Sequence, residues 1–300
     1  MVFDRITAGD ANRAHEVLEH ASGKAVNAAR VLHQLGRETV YIGQVGGDRA
    51  AFFRRDLDGI GVPHDLVPVA VETRLCVTVV NLSGRQATEL IQETEPIPPE
   101  TGDLLFEKLA QHLGAGAAVV VLAGSLAPGL PDDFYARAVR MSRDAGAAVL
   151  LDARGESLTR ALAEGPDVVK PNRAELAATA GRPVDSRRAM QSAMAAMVEG
   201  GARWVICTRG RDGSSVAGRV GGEVRHWDVS TADVDVINPI GSGDAYAAGL
   251  AVGLAEGVDP PDACRYAAAC GASSAAQSRA GVVDPALVPS LVEACQVRPA

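Results

Sequence analysis

From about residue 23 onward, short apolar runs of strand length alternate with amphipathic stretches of helix length, a pattern that predicts βα units around a mainly parallel sheet. The runs 39–45, 117–123, 147–152, 167–170 and 203–208 are rich in Val, Ile or Leu, as strands covered on both faces are. Between and beyond them, 23–35, 49–60, 99–113, 131–145, 173–180, 186–199, 242–256 and 261–278 carry Ala, Leu, Arg and Glu at helical spacing. Two segments break the alternation. In 1–20 and 72–93, Thr, Val and polar residues alternate as they do in exposed antiparallel strands, which predicts a small accessory sheet. Its expected use is as a lid over the mouth of the main sheet, excluding water from a reaction that water would divert. With no repeat, linker or low-complexity stretch, 1–300 is expected to be one domain.

Composition narrows the class. At 47% hydrophobic and 22% charged residues, with 32 glycines for tight turns, the chain has enough apolar material for one large α/β core. A net charge of −8 argues against a surface built for nucleic acid. No apolar run reaches the roughly 18 residues of a membrane helix and no basic-then-apolar leader opens the sequence, so the expected location is the cytoplasm. The five cysteines are scattered without a metal-binding spacing and read as reduced thiols.

The strongest chemical signal is Asn238-Pro239-Ile240-Gly241-Ser242-Gly243-Asp244, a glycine turn opening into an Ala-rich helix. Free N–H groups of Gly241, Ser242, Gly243 and Asp244 at a helix N-terminus would face a developing negative charge, with the helix dipole behind them. Asp244 there is either a catalytic base or an ordinary first-turn acid. Asn172 and Glu175, three apart at a helix start, share a face at a strand's C-terminal edge, where ligands bind, and equally spell a capping pair.

In this setting the turn resembles the signature of the ribokinase-like, or PfkB, carbohydrate kinases. Other pieces follow in family order: Gly23-Lys24-x-x-Asn27-x-x-Arg30-x-Leu32-x-x-Leu35-Gly36, Gly46-Gly47-Asp48, Gly124-Ser125-Leu126-Ala127-Pro128-Gly129 and Lys170-Pro171-Asn172-x-x-Glu175. Within the family, Asn12-Arg13, 61–65, Glu72-Thr73-Arg74, Asp152-x-x-Gly155-Glu156 and Asn238-Pro239 resemble the 1-phosphofructokinase and tagatose-6-phosphate kinase branch.

The resemblance implies a three-layer ribokinase-like α/β fold with a small antiparallel β lid, and ATP-dependent phosphorylation of a ketohexose phosphate. Asp244 would be the general base, with Gly241, Ser242 and Gly243 completing the anion hole. Gly23, Lys24, Asn27, Arg74 and Ser125 would meet the acceptor, Arg154 lying nearby. The amide of Asn27 would serve sugar hydroxyls, and Lys24 with Arg74 a phosphate. Lys24 and Arg74 also read as solvated surface cations. The nucleotide would meet Lys170, Asn172, Glu175, Thr208, Gly210, Gly213, Gly271 and Ser274, with Mg²⁺ near Glu175 through water. Asp212-Gly213 also fits a β-turn, and Gly271 and Ser274 also fit close helix packing. A homodimer is expected from the exposed edges and apolar face of the lid.

Family members of this branch begin with a strand ending Asn-Pro-x-x-Asp, whose aspartate holds sugar hydroxyls, whereas Val2-Phe3-Asp4-Arg5-Ile6 corresponds to a later segment. Asp4 is therefore not that ligand. Either translation begins upstream of Met1, or the protein lacks a central strand and a substrate carboxylate. Ser22 and Ala25 replace two glycines of the first motif, adding bulk beside the acceptor. The alternatives are a kinase of an unphosphorylated sugar or nucleoside, and a catalytically weak sugar- or nucleotide-binding protein.

Overall fold

The computed structural model describes residues 1–84 and 86–300. Its main sheet has seven strands in the spatial order β12-β11-β10-β9-β8-β7-β6. Strands β6 (Val119–Ala123), β7 (Ala148–Asp152), β8 (Val168–Val169) and β9 (Trp204–Thr208) run parallel. Strands β10 (Ser214–Val220), β11 (Glu223–Val229) and β12 (Val297–Pro299) continue the sheet as an antiparallel meander.

Period-two alternation sends neighbouring strand residues to opposite layers. Leu150, Val168, Ile206 and Val216 enter a core with helices α1 (Lys24–Gln34), α8 (Ser242–Ala255), α9 (Pro260–Ala275) and α10 (Val288–Ala294). Val149, Leu151, Val169 and Val205 enter the opposite core, with α4 (Phe134–Asp144), α5 (Gly155–Leu162), α6 (Arg173–Ala180) and α7 (Arg187–Glu199). Each fully buried Leu or Ile contributes about 1.5–3 kcal/mol, so losing one face would unfold the sheet. On the first face, α8 and α9 approach closely because their contacts are small residues. A Cβ on Gly249 would stand 2.6 Å from Ala267 Cα, and one on Gly253 2.5 Å from Ala263 Cβ.

Two smaller sheets lie apart. Strands β2 (Tyr41–Gly46) and β3 (His64–Val69) form a parallel pair that shares a core with α2 (Arg49–Gly59). Helix α3 (Thr101–Gly114) packs on this pair and on α4. Segments 1–20 and 72–93 supply the three strands of the other sheet, β1 (Val2–Phe3), β4 (Cys76–Asn81) and β5 (Gln86–Ile91). Strand β4 is antiparallel to β5 but parallel to the two-residue β1.

The apolar runs of the parallel strands thus lie where the sequence puts them. It does not anticipate β3, α5, α10 or the meander, and it places 39–45 in one sheet with the others, whereas β2 pairs with β3 alone. The meander is hidden by its own pattern, since Glu223, Arg225 and Asp228 interrupt β11 with polar residues suited to a half-covered antiparallel strand.

Candidate active site

Parallel packing brings the C-terminal strand ends to one edge of the sheet. Asp152 ends β7, Lys170 follows β8, and Thr208 ends β9 and bridges to Asn172. Ligands of open α/β sheets bind outside such an edge. A cavity of about 2000 Å³ opens here, its wall including Gly23, Lys24, Asn27, Arg74, Glu175 and Asp244.

Helix α8 begins at this edge through Gly241, whose φ of 85° is left-handed. A Cβ at Gly241 would also lie 2.6 Å from the Gly281 nitrogen, so both conformation and space demand glycine. Of the four amides expected to face an anion, Ser242 N–H donates to Pro239 O at 3.3 Å and Asp244 N–H to Gly241 O at 3.1 Å. Gly241 and Gly243 N–H have no acceptor among the described residues and remain as the anion-facing donors. The anion hole is thus narrower than the sequence suggests. Helix α1 starts at the same cavity with Gly23 at its N-cap, φ 134°, and no side-chain cap, so a second helix N-terminus opens on the same space.

Asp244 is 8% exposed. Burial pushes its carboxyl up to about 6; a hydrogen bond from Asn27 opposes the rise, the charge of Asp152 adds to it, and Lys170 and Lys24 oppose it. The hydrogen bond is short, Asn27 Nδ2 donating to Asp244 Oδ2 at 2.7 Å. Asn27 Oδ1 accepts from Ser22 Oγ at 3.3 Å and from the Arg30 guanidinium at 3.2 Å. Asn27, expected to meet sugar hydroxyls, lines the cavity at 4% exposure with both ends of its amide engaged by protein groups, Asp244 among them.

Beside this pair sits a buried ionic network. Lys24 Nζ reaches Asp152 Oδ1 at 2.8 Å and Glu175 Oε1 at 3.1 Å, and Lys170 Nζ reaches Asp152 Oδ2 at 2.9 Å. Burial alone would lower the Lys24 ammonium, but Asp152 and Glu175 outweigh it and raise the group above its ordinary value. For Asp152 burial alone would raise the carboxyl, but Lys170 and Lys24 hold it below the ordinary range. Lys24 and Lys170, expected to meet acceptor and nucleotide, thus share their ammonium charges with Asp152 in this structure. Asp152 is the residue whose importance the sequence did not reveal. An aspartate closing the apolar strand Ala148–Asp152 was the available signal.

Asn172 and Glu175 form a complete capping box, Asn172 Oδ1 accepting from Glu175 N–H and Glu175 Oε2 from Asn172 N–H, both at 2.9 Å. One Glu175 oxygen accepts from that amide and the other pairs with Lys24, so both are engaged by protein donors. No cluster of three or more His, Cys, Asp or Glu residues suited to a metal exists among the described residues. This donor chemistry fits Mg²⁺ held through water.

Arg74 and Arg154 line the cavity as exposed side chains with no carboxylate partner among the described residues. Arg154 Nε donates to Ser125 Oγ at 3.2 Å, which puts Ser125 on the same wall. Gly210 and Gly213, φ 60° and 77°, shape the turn between β9 and β10. A Cβ on Gly213 would lie 2.0 Å from Val229 O, so a close backbone approach explains that glycine without a ligand. A Cβ on Gly271 would lie 3.3 Å from Ser242 O, the close helix packing allowed for it in the sequence, and Ser274 is wholly buried beside it on α9.

A Gly-capped helix start, a buried carboxylate and a cavity at the strand ends meet at one edge of a ribokinase-like α/β fold, and the family match makes the chain an ATP-dependent sugar kinase. The chain belongs to the family described as pfkB family carbohydrate kinase, whose model matches residues 1–286. Solved structures show the same fold. Phosphofructokinase-2 from Escherichia coli, in complex with potassium, superposes with a TM-score of 0.86 at 21% identity, covering 98% of this chain and 94% of the other. A possible 1-phosphofructokinase from Thermotoga maritima gives 0.84 at 20% identity, covering 100% and 98%. Arabidopsis thaliana ribokinase complexed with ribose and ATP gives 0.74 at 22% identity, covering 97% and 94%.

Proposed function

We propose that this kinase transfers the γ-phosphoryl group of ATP to a ketohexose phosphate, in the manner of a 1-phosphofructokinase or tagatose-6-phosphate kinase. The observation that carries the reading is the pair of cations without a carboxylate partner among the described residues, Arg74 and Arg154, on the wall of the cavity that also holds Asp244. A neutral sugar offers them only uncharged hydroxyl acceptors, whereas a substrate phosphate offers each a charge-assisted hydrogen bond. In the proposed step the acceptor hydroxyl oxygen bonds to the γ-phosphorus, the bond to the ADP oxygen breaks, and the hydroxyl proton passes to Asp244. Asn27 aims the carboxylate, and the Gly241 and Gly243 amides stabilise charge on the transferring group. Glu175 would hold Mg²⁺ through water, where the ion neutralises nucleotide phosphate charge; Asn172, Thr208 and Gly210 border the nucleotide side.

The engagement of Lys24 by Asp152 and Glu175 favours a second reading, an unphosphorylated acceptor, because it removes one expected phosphate ligand. ADP release with Mg-ATP against fructose 1-phosphate, fructose 6-phosphate, tagatose 6-phosphate, fructose, tagatose and ribose separates the two. Turnover is expected with one phosphorylated ketose. For that acceptor Arg74→Ala should raise KM at least ~10-fold, as loss of a charged hydrogen bond implies, with kcat little changed. An equal KM rise for the free sugars would remove the phosphate assignment.

The chain is inferred to work as one domain, with 1–20 and 72–93 as its lid, and to pair as a homodimer. Leu75, Leu90 and Ile91 on or beside the three-stranded sheet are 49%, 58% and 51% exposed, an apolar surface that a second copy would cover. Sedimentation velocity should find a dimer at micromolar concentration; a monomer throughout would count against the pairing.

A further inference from the structure

Three residues beyond Asn27, on the same face of α1, Arg30 is buried to 2% exposure. Its Nη1 donates to Asn27 Oδ1 at 3.2 Å and to Ala280 O at 3.4 Å, and its Nη2 donates to Ala21 O. Asp56 of α2 stands behind it, 3.7 Å from Nη2, and the same Asp56 oxygen accepts the Ala21 N–H at 2.9 Å. One ion pair thus holds both backbone groups of Ala21, the first residue after the lid segment 1–20. Gly281 closes in on Asn27 as well: a Cβ there would lie 2.6 Å from Asn27 Cβ, so the amide is walled in.

These contacts decide which way round the Asn27 amide sits. A carboxamide has an accepting oxygen and a donating nitrogen of nearly the same shape, and its neighbours choose between them. Ionised Asp244 only accepts, so it selects the nitrogen; protonated Asp244 can also donate, and then the amide oxygen suits it as well. The Ser22 hydroxyl, 3.3 Å from Asn27 Oδ1, can donate or accept and leaves both orientations open. A guanidinium only donates. Burial and Arg279 bring Arg30 down to about 10 against the pull of Asp56, so it is cationic at neutral pH. Turning the amide over would set its two N–H groups against that buried cation.

We propose that Arg30 is a positioning residue for phosphoryl transfer: anchored by Asp56, it holds the Asn27 oxygen towards itself and so keeps the amide nitrogen aimed at Asp244, favouring the ionised carboxylate that can take the acceptor's proton. This role rests on Asp244 acting as the base. Arg30 is not on the cavity wall among the described residues and acts through Asn27, which is. The charges facing Asp244 are Asp152, Lys170 and Lys24, and those facing Arg30 are Asp56, Arg279 and His20. Burial and the two arginines hold His20 down to about 4, so it stays neutral where Asp244, at about 6, titrates.

The test follows the Asp244 carboxyl itself, by carbon NMR titration of the full chain, its signal identified by its loss in Asp244→Asn. Arg30→Met should raise the titration midpoint by at least ~1 pH unit, the size of losing one hydrogen bond to a carboxylate, and the acid limb of kcat/KM should move with it. Arg30→Lys keeps a cationic donor and should return most of the shift. In an Asn27→Ala background Arg30→Met should add less than ~0.3 unit, because nothing is left to relay its effect. If Arg30→Met does not fold, pairing it with Asp56→Asn removes the stranded carboxylate, keeps an acceptor for the Ala21 N–H and should give the same rise. An unchanged midpoint in the Arg30 variants would overturn the proposal. So would an equal shift with and without Asn27, since the charge of Arg30 would then act directly. Turnover retained in Asp244→Asn would remove the base assignment instead, while the titration would still decide whether Arg30 sets the Asn27 amide.

Discussion

Asp244→Asn lowers kcat by at least ~10² while leaving nucleotide binding intact, because an amide keeps the shape of the carboxylate and cannot take the acceptor proton. The pH dependence follows from the carboxyl value of about 6. The base is ionised above that value, so wild-type kcat/KM is flat on the alkaline side and falls about tenfold per pH unit below it. Asn27→Ala removes the hydrogen bond that favours the ionised form, and the acid limb moves to higher pH. Stability moves the other way. Between the ordinary carboxyl value of 3.8 and about 6 the folded state holds this proton more tightly than the unfolded chain does, so the contribution of Asp244 to stability falls as pH rises through that window. The Asn variant escapes this loss and should be up to about 3 kcal/mol more stable than wild type at pH 7, the difference fading below pH ~4. A variant that is both less active and more stable is the signature of a base held at a cost to the fold. Near wild-type turnover in Asp244→Asn would remove the assignment.

How much of this was legible in the sequence depended on how local each feature is. The apolar runs at 117–123, 147–152 and 203–208 announced β6, β7 and β9 because a doubly covered strand needs no partner to be recognised. The run 167–170 likewise announced the two-residue β8, whereas α5 was not anticipated and β10 to β12 mix polar and apolar positions. The site divides in the same way. Gly241 and Asp244 are legible because a glycine turn and a first-turn acid are neighbours in sequence. The hydrogen bond from Asn27 to Asp244 spans 217 positions and that from Lys24 to Asp152 spans 128, so nothing local shows that Asn27 and Lys24 are already committed to protein partners. Lys24, Lys170 and Asn27 were therefore read as ligand contacts, and Asp152, which joins two of the cations, was read only as part of a motif.

Removing Asp152 tests that joint most severely. Lys170 is 4% exposed at its side chain and makes its one ion pair among the described residues with Asp152, so Asp152→Asn leaves a buried ammonium without that direct partner. Breaking a buried pair from one side costs about 3–5 kcal/mol, far more than the net worth of the pair, because the surviving charge cannot return to water. Urea unfolding of Asp152→Asn at pH 7 should show a loss of that size. In wild type Asp152, held low by Lys170 and Lys24, keeps its contribution at pH 7 and loses it only as pH falls below 3.8. The double variant Asp152→Asn with Lys170→Met removes the stranded charge at similar volume and should recover most of the loss without recovering activity, because Lys24 would still lack the carboxylate that fixes it beside Glu175. A loss below about 1 kcal/mol in the single variant, or no recovery in the double, would mean that Lys170 reaches solvent or another partner and that the network at the cavity floor is not the one described.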